Sequence, residues 1–170
     1  MKGTLRLAEG RDLAAINDIY NYYVLNCTCT YQLEPDTLDD RKVWFREHPP
    51  EKYPVVVAEQ EGEVVGWGSL SRFRPRAGYA PTAEASIYIR SDCHRRGFGR
   101  ALLADLIDRA RTAGFHSIVG GASAEQTASI ALQESLGFVR VARFVEVGYK
   151  FGRRLDVVYL QLMLSPEPKR

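Results

Sequence analysis

Three short segments, Ile87-Tyr88-Ile89, Arg95-Arg96-Gly97-Phe98-Gly99-Arg100 and a strongly amphipathic run, follow one another in the middle of this 170-residue chain. Two glycines at this spacing let backbone N–H groups turn inward ahead of a helix N-terminus, where unpaired donors and the positive end of the helix dipole make a site for phosphate. Arg95, Arg96 and Arg100 add local positive charge; the alternative is a plain glycine turn with solvated arginines. Upstream, Arg72, Arg74 and Arg76 alternate in a polar loop. Guanidinium groups there suit a small anion, or else form an exposed basic surface. Glu84 shares a strand face with Ser86 and Tyr88, so it points at a cleft from a rigid element or lies on a solvated face. Cys93, beside the glycine turn, reads as a partly buried thiol rather than a reactive one. His48 and His116, at a helix end and just after a helix, read as surface residues.

Periodicity supplies the elements that must position these groups. Thr4 to Leu7 alternates as a short strand, and Asp12 is placed to cap a helix with apolar positions at Leu13, Ile16, Ile19, Tyr20 and Tyr23. Cys27 to Pro35 is an irregular loop around Tyr31. Thr37 is a candidate N-cap of a second helix, with Asp39 and Asp40 in its first turn and Pro49-Pro50 beyond its end. Pro54 to Glu59 and Val64 to Leu70 read as a hairpin across Glu61-Gly62-Glu63. Thr82 to Arg90 alternates, with Ala85, Ile87 and Ile89 opposite the Glu84 face. Gly99 to Ala113 is the clearest helix, ended by Gly114. Ile118 to Gly120 is a short buried strand and Thr127 to Leu136 a helix stopped by Gly137. Phe138 to Val147 and Leu155 to Leu164 are closing strands joined through Gly148 to Gly152. The expected architecture is α/β (α+β): one domain, 1–164, around a mixed, mostly antiparallel sheet flanked by helices, with a frayed tail at 165–170.

Composition narrows the class. Lys and Arg total 23 against 21 Asp and Glu, a formal charge of +2, so the chain carries no polyanion-binding signature and no nucleic-acid partner is expected. Cys27, Cys29 and Cys93 are an odd set without zinc-ligand spacing, which fits a reducing compartment and no metal. No signal-peptide run or membrane span is evident, and the expectation is a soluble cytoplasmic protein with no membrane partner.

The strand, the Arg-Arg-Gly-Phe-Gly-Arg turn, the amphipathic helix, Ala128-Ser129-Ile130 and Leu136-Gly137-Phe138 together resemble the GNAT acetyltransferase superfamily. More narrowly, Tyr20-Asn21-Tyr22-Tyr23-Val24, Glu34-Pro35, Trp44-Phe45 and Phe73-Arg74-Pro75-Arg76 with Tyr79 are similar to the phosphinothricin and methionine-sulfoximine N-acetyltransferase group. So are Thr82-Ala83-Glu84, Glu146-Val147-Gly148-Tyr149-Lys150 and Leu155-Asp156. The resemblance implies the GNAT acyl-CoA N-acyltransferase fold and acetyl-CoA as co-substrate. It implies that backbone groups of Ile87, Tyr88 and Ile89 bind the pantetheine arm, while Arg95, Arg96, Gly97, Phe98, Gly99 and Arg100 cradle the pyrophosphate. Gln126 and Ser129 complete the cofactor set. Glu84 matches the group's general base, and Tyr31, Phe73, Arg74 and Tyr79 match positions that line the acceptor pocket.

These roles are chemically coherent. An amino acid arrives largely as an ammonium and cannot attack until a carboxylate, directly or through water, takes its proton. Backbone N–H groups near Tyr88 to Arg90 are candidates to stabilise the oxyanion formed by attack on the thioester. The chain departs from the group in having Gln126 for an asparagine, Gln133 for a histidine and His94 at the first position of the turn; neither glutamine can carry a proton. The expected activity is N-acetylation of a small amino acid or analogue by direct attack, in a homodimer. The alternatives are an acetyl-CoA-binding module with little turnover, and a transferase acting on peptide or protein amines.

Overall fold

The computed structural model describes residues 3–164; the tail expected to fray, 165–170, lies outside the described residues. Strand β1 (Thr4–Leu7) leads into helix α1 (Leu13–Asn26), whose Leu13, Ile16, Ile19 and Tyr23 are buried at helical spacing. Asp12 stands at the N-cap, but its side chain makes no cap bond to α1. Arg6 instead donates two N–H bonds to its carboxylate at 2.7 and 2.8 Å, and the Glu9 N–H donates a third at 2.8 Å. The paired guanidinium outcompetes a weaker cap and holds the Asp12 carboxyl below its usual range. Helix α2 (Leu38–Arg46) does begin as expected: Thr37 Oγ1 accepts the Asp40 N–H at 3.2 Å and the Asp40 carboxylate accepts the Thr37 N–H at 2.9 Å.

Strands β2 (Val55–Gln60) and β3 (Glu63–Arg72) meet in a two-residue turn, with Glu61 at φ 54° and Gly62 at φ 83°, the double left-handed pattern that matches strand twist. Next come β4 (Thr82–Ile89), α3 (Phe98–Thr112), β5 (Ser117–Ser123), α4 (Thr127–Glu134), β6 (Val139–Lys150) and β7 (Arg153–Met163). β5 runs three residues past its expected end. β6 and β7 extend into the stretch expected to connect them, because Phe151 and Gly152, both at positive φ, suffice for the turn.

All seven strands form one sheet in the order β1-β2-β3-β4-β5-β7-β6, antiparallel except for the β4–β5 pair. Both faces of its first half are covered. Val56 and Ala58 of β2 pack with Leu102, Leu103 and Leu106 of α3, while Val55 and Val57 pack with Leu13, Ile16 and Ile19 of α1. A strand buried on both sides has no polar face to alternate with, which explains the run Val55-Val56-Val57-Ala58.

His48, expected at the surface, is buried, and Cys93, expected to be partly buried, is buried fully. His48 is 8% exposed, with Nδ1 at 2.7 Å from the Trp44 carbonyl and Nε2 at 3.0 Å from Ser71 Oγ. It fastens the end of α2 to β3, and burial pushes its pKa down. Cys93 is buried outright, within the core cluster that holds Phe98 and Leu102. His116 is exposed, as expected.

One feature of the sheet governs the site. β4 and β5 pair only from Thr82–Ser117 to Glu84–Val119. Beyond that point β4 stays on β3 as far as Ile89, and β5 stays on β7 as far as Ser123. The two parallel strands therefore part, and a cleft opens between them.

Candidate active site

The cleft exposes backbone that a continuous sheet would pair. The Arg90 N–H donates to the Val65 carbonyl on β3 at 2.9 Å. Because main-chain groups alternate sides along a strand, those of Tyr88 and Ser86 also face β3, and those of Ile87 and Ile89 face the gap. Among the three residues expected to present backbone to a pantetheine arm, Tyr88 therefore does not. Its ring packs instead between Trp67 and Tyr20, at centroid distances of 4.9 and 5.1 Å. The Ile89 carbonyl accepts the Tyr23 hydroxyl, and His94 Nε2 lies 2.6 Å from that hydroxyl. His94 thus anchors the start of the glycine turn through Tyr23. Of the N–H donors considered for the oxyanion, Arg90's and Tyr88's are directed at β3, which leaves Ile89's.

The turn itself takes the conformation a phosphate cradle needs. Arg95 (φ 59°) and Gly97 (φ 89°) are left-handed, and α3 begins at Phe98. Such alternation aims successive N–H groups into one concavity at the helix N-terminus. The arginine side chains differ in their commitments. Arg96 donates to the Asp92 carbonyl at 2.9 Å and Arg100 to Ser135 Oγ at 2.8 Å, so Arg100 ties α3 to the turn after α4. Phe98 is 2% exposed, so only its backbone reaches the cradle.

A cavity of 440 Å³ lies beside the open cleft, with Glu84, Ser86 and Tyr88 of β4 on one wall and Ser123 of β5 and Tyr159 of β7 on others. Cys29 and Tyr31 of the α1–α2 loop and Gly148 of β6 complete it. Burial raises the Glu84 pKa above the usual carboxylate range, and the Arg74 charge opposes the rise. Two polar atoms here, Tyr31 Oη and Ser123 Oγ, are buried without a protein partner. Unpaired groups of this kind call for a ligand or water. Phe73, Arg74 and Tyr79 are not in the cavity wall. They cluster outside it, with Phe73 and Tyr79 rings 6.1 Å apart and the Arg74 guanidinium 5.1 Å from the Phe73 ring, close enough for Arg74 to act on Glu84 through its charge.

The loop carrying Cys29 and Tyr31 is held from below. Lys150, 2% exposed, donates to the carbonyls of Cys27 and Thr30 at 2.7 Å each and lies 3.4 Å from that of Tyr23. Its ammonium closes the C-terminus of α1, where unsatisfied carbonyls and the negative dipole end favour a cation. Gln126 Nε2 donates to Thr28 Oγ1 at 3.0 Å, which pins the same loop to the start of α4. Gln126 is thereby turned toward the loop, while Ser129 lies exposed on the first turn of α4. Gln133 is buried against Gly120 with Oε1 unpaired. Lys150→Met is expected to cost about 2 to 3 kcal/mol, because it leaves carbonyls buried without a donor; urea denaturation measures this.

Ser123, Tyr159, Gly148 and Lys150 went unassigned by sequence reasoning. They lie far from Glu84 along the chain, and no local spacing joins them. Only the unusual Gly148-Tyr149-Lys150 ending of β6 hinted at a role. A larger hollow of 640 Å³ between α4 and β6 offers less, since its Arg140 and Glu134 pair at 2.7 Å and its Arg143 pairs with Asp156 at 2.5 Å. Among the described residues no group of three or more His, Cys, Asp or Glu could hold a metal ion, and no helix is long and apolar enough to cross a membrane.

Comparison with known proteins agrees with this geometry. Residues 16–138 match the model of the acetyltransferase (GNAT) family. An L-methionine sulfoximine/L-methionine sulfone acetyltransferase from Salmonella typhimurium strain LT2 is 40% identical over 162 residues, covering 95% of this chain and 95% of that protein. The structure of yncA, a putative acetyltransferase from Salmonella typhimurium with its cofactor acetyl-CoA, superposes with a TM-score of 0.95 at 38% identity, covering 100% of this chain and 98% of that one. A phosphinothricin acetyltransferase of the GNAT superfamily from Sinorhizobium meliloti, in complex with acetyl-CoA, gives 0.93 at 36% identity over 96% and 89%. With its parted parallel strands, its left-handed turn ahead of α3 and these matches along nearly its whole length, the chain belongs to the GNAT acetyltransferase family and is an acetyl-CoA-dependent N-acetyltransferase.

Proposed function

We propose that the enzyme transfers the acetyl group of acetyl-CoA to the amine of a small amino acid or analogue of the methionine-sulfoximine or phosphinothricin type, by direct attack with Glu84 as general base. The observation that carries this reading is the 440 Å³ cavity, whose lining includes Glu84, a carboxylate of raised pKa, and Tyr31 and Ser123, whose hydroxyls have no protein partner. Its size suits a small acceptor rather than a protein tail. Acetyl-CoA supplies the activated thioester. The chain supplies the N–H cradle of 95–99 for phosphate, the cleft-facing backbone of Ile87 and Ile89, and a base held on a strand. A carboxylate with a raised pKa is a stronger proton acceptor, better matched to an ammonium. In this reading the unpaired hydroxyls of Tyr31 and Ser123 turn to the polar end of the acceptor when it binds, and the Arg74 charge, which reaches Glu84, favours an acceptor carrying negative charge.

Acetylated product measured across a panel of amino acids, including phosphinothricin and methionine sulfoximine, tests this; product from none of them refutes it. Initial rates should require both substrates bound together, and a ping-pong pattern would exclude direct attack. Tyr31→Phe is a sharper probe. Its hydroxyl has no protein partner to lose, so stability in the absence of ligand should hold or rise, while the KM for the acceptor rises about tenfold.

The same reading extends to assembly and location. β6 is an edge strand whose Val139, Val145, Val147 and Tyr149 are 62 to 72% exposed, an apolar stripe suited to a second copy. We propose a homodimer through this stripe, for which light scattering should give twice the chain mass. Three free thiols fit a cytoplasmic enzyme.

A further inference from the structure

Two of the three cysteines, Cys27 and Cys29, lie in the loop that forms one wall of the acceptor cavity, and neither has a part in the transfer described above. Cys27 is the C-cap of α1 and is half-buried; Cys29 lines the cavity with Glu84 and Tyr31. The Cys27 sulfur accepts the Cys29 N–H at 3.3 Å and the Gln126 amide at 3.5 Å, so it lies against the backbone from which the Cys29 thiol springs. The Lys150 ammonium donates to Cys27's own carbonyl at 2.7 Å. Hydrogen-bond donors and a nearby cation favour the Cys27 thiolate and draw its pKa down, while that of Cys29 is pushed up by the neighbouring Cys27 sulfur and by burial. Cys27 is thus the better nucleophile of the two, and a second thiol two residues on is near enough to resolve it. Cys93, buried in the core, is remote from this chemistry.

We propose that Cys27 and Cys29 are a thiol–disulfide pair, oxidised by low-molecular-weight disulfides, whose closure re-aims the Cys29-Thr30-Tyr31 segment and slows transfer at the acceptor cavity. The Cys27 thiolate attacks one sulfur of the small disulfide, forms a mixed disulfide and expels one thiolate. Cys29, giving its proton to solvent, then attacks the Cys27 sulfur and expels the second thiol. Two protein thiols are oxidised and one small disulfide is reduced to two thiols, so atoms and electrons balance. Bridging residues two apart draws Cys29 out of the cavity wall. Tyr31, against Gly148, cannot keep its place when the residues before it turn. The geometric strain of so short a bridge makes it easily reduced, which suits a reversible device.

Oxidised glutathione is the probe, applied to the full chain at neutral pH, with intact mass, peptide mapping and acetylated product read by mass spectrometry. The expected result is a mass lower by two hydrogens, a Cys27–Cys29 cross-link, and a rate about tenfold or more lower that dithiothreitol restores. Cys27→Ser and Cys29→Ser should each lose the response, whatever their own untreated rate, and Cys93→Ala should keep it. Absence of the cross-link, oxidation at Cys93 instead, or a cross-link that leaves the rate unchanged would overturn the proposal. The rate arm rests on the acetyl-transfer reading, but the mass and peptide arms do not. A chain that acetylates no amine and still forms the cross-link refutes only that reading of the cavity.

Discussion

Glu84→Gln is expected to lower kcat by about 10²- to 10⁴-fold, the range for loss of a positioned general base, while the protein becomes more stable at neutral pH. Both effects have one cause. Glu84 sits on β4 inside the cavity, and burial raises its pKa. A carboxyl whose folded pKa exceeds its unfolded value favours the folded state below the unfolded pKa and loses that advantage as pH rises through the folded pKa. The ionised form of Glu84, which a general base requires, is therefore held in an unfavourable place. The amide keeps its shape without the charge, so thermal melting should move upward as turnover collapses. In the wild type the ascending limb of kcat/KM against pH should lie above the ordinary carboxylate range. Arg74→Gln should move it higher still, because the Arg74 charge is what opposes the rise. A Glu84→Gln enzyme with undiminished kcat would remove Glu84 from the mechanism.

Gly148→Ala is expected to damage acceptor binding without touching any group that does chemistry. A Cβ at 148 would fall well inside van der Waals contact with the Tyr31 ring. The clash is with the body of an aromatic ring, not the tip of a flexible chain, so the ring and its loop must move. Lys150 and Gln126 hold that loop from two other sides and leave it little room to yield. Overpacking of this kind costs about 1 to 3 kcal/mol. The acceptor KM should rise about tenfold or more, with the Kd for acetyl-CoA much less affected, since misplacing one wall of a site weakens binding steeply. Calorimetry with acetyl-CoA and initial rates against the acceptor separate the two. Restoring space through Gly148→Ala combined with Tyr31→Ala should recover stability but not acceptor affinity, because the cavity wall is then missing.

Much of the molecule is legible in the amino-acid sequence. The spacing of Leu102, Leu103, Leu106 and Ile107 located α3, and Glu61-Gly62 located a hairpin, because period and left-handed turns are local properties. The alternation of Thr82 to Arg90 put Glu84, Ser86 and Tyr88 on one face, and all three line the cavity. Local readings of single side chains gave way where a different partner lay nearer in space. Asp12 was claimed by Arg6 rather than by the helix it begins. His48 found Ser71 and is buried. Phe73, Arg74 and Tyr79 cluster on one another beside the cavity, and the Arg74 charge reaches Glu84 within it.

The sequence by itself determined the order of elements, the glycine turn ahead of the strongest helix, and a carboxylate on a strand face, since each depends on residues within a few positions of one another. Tertiary structure alone decided that β4 and β5 part after Glu84, so that Ile87 and Ile89 rather than Tyr88 offer backbone to the cleft. It also decided that Tyr31, Ser123, Gly148 and Tyr159 share one cavity with Glu84. The physical reason is that strand pairing and side-chain packing join residues a hundred positions apart. Their geometry is set by which partner is nearest in space, and nothing in local spacing records it.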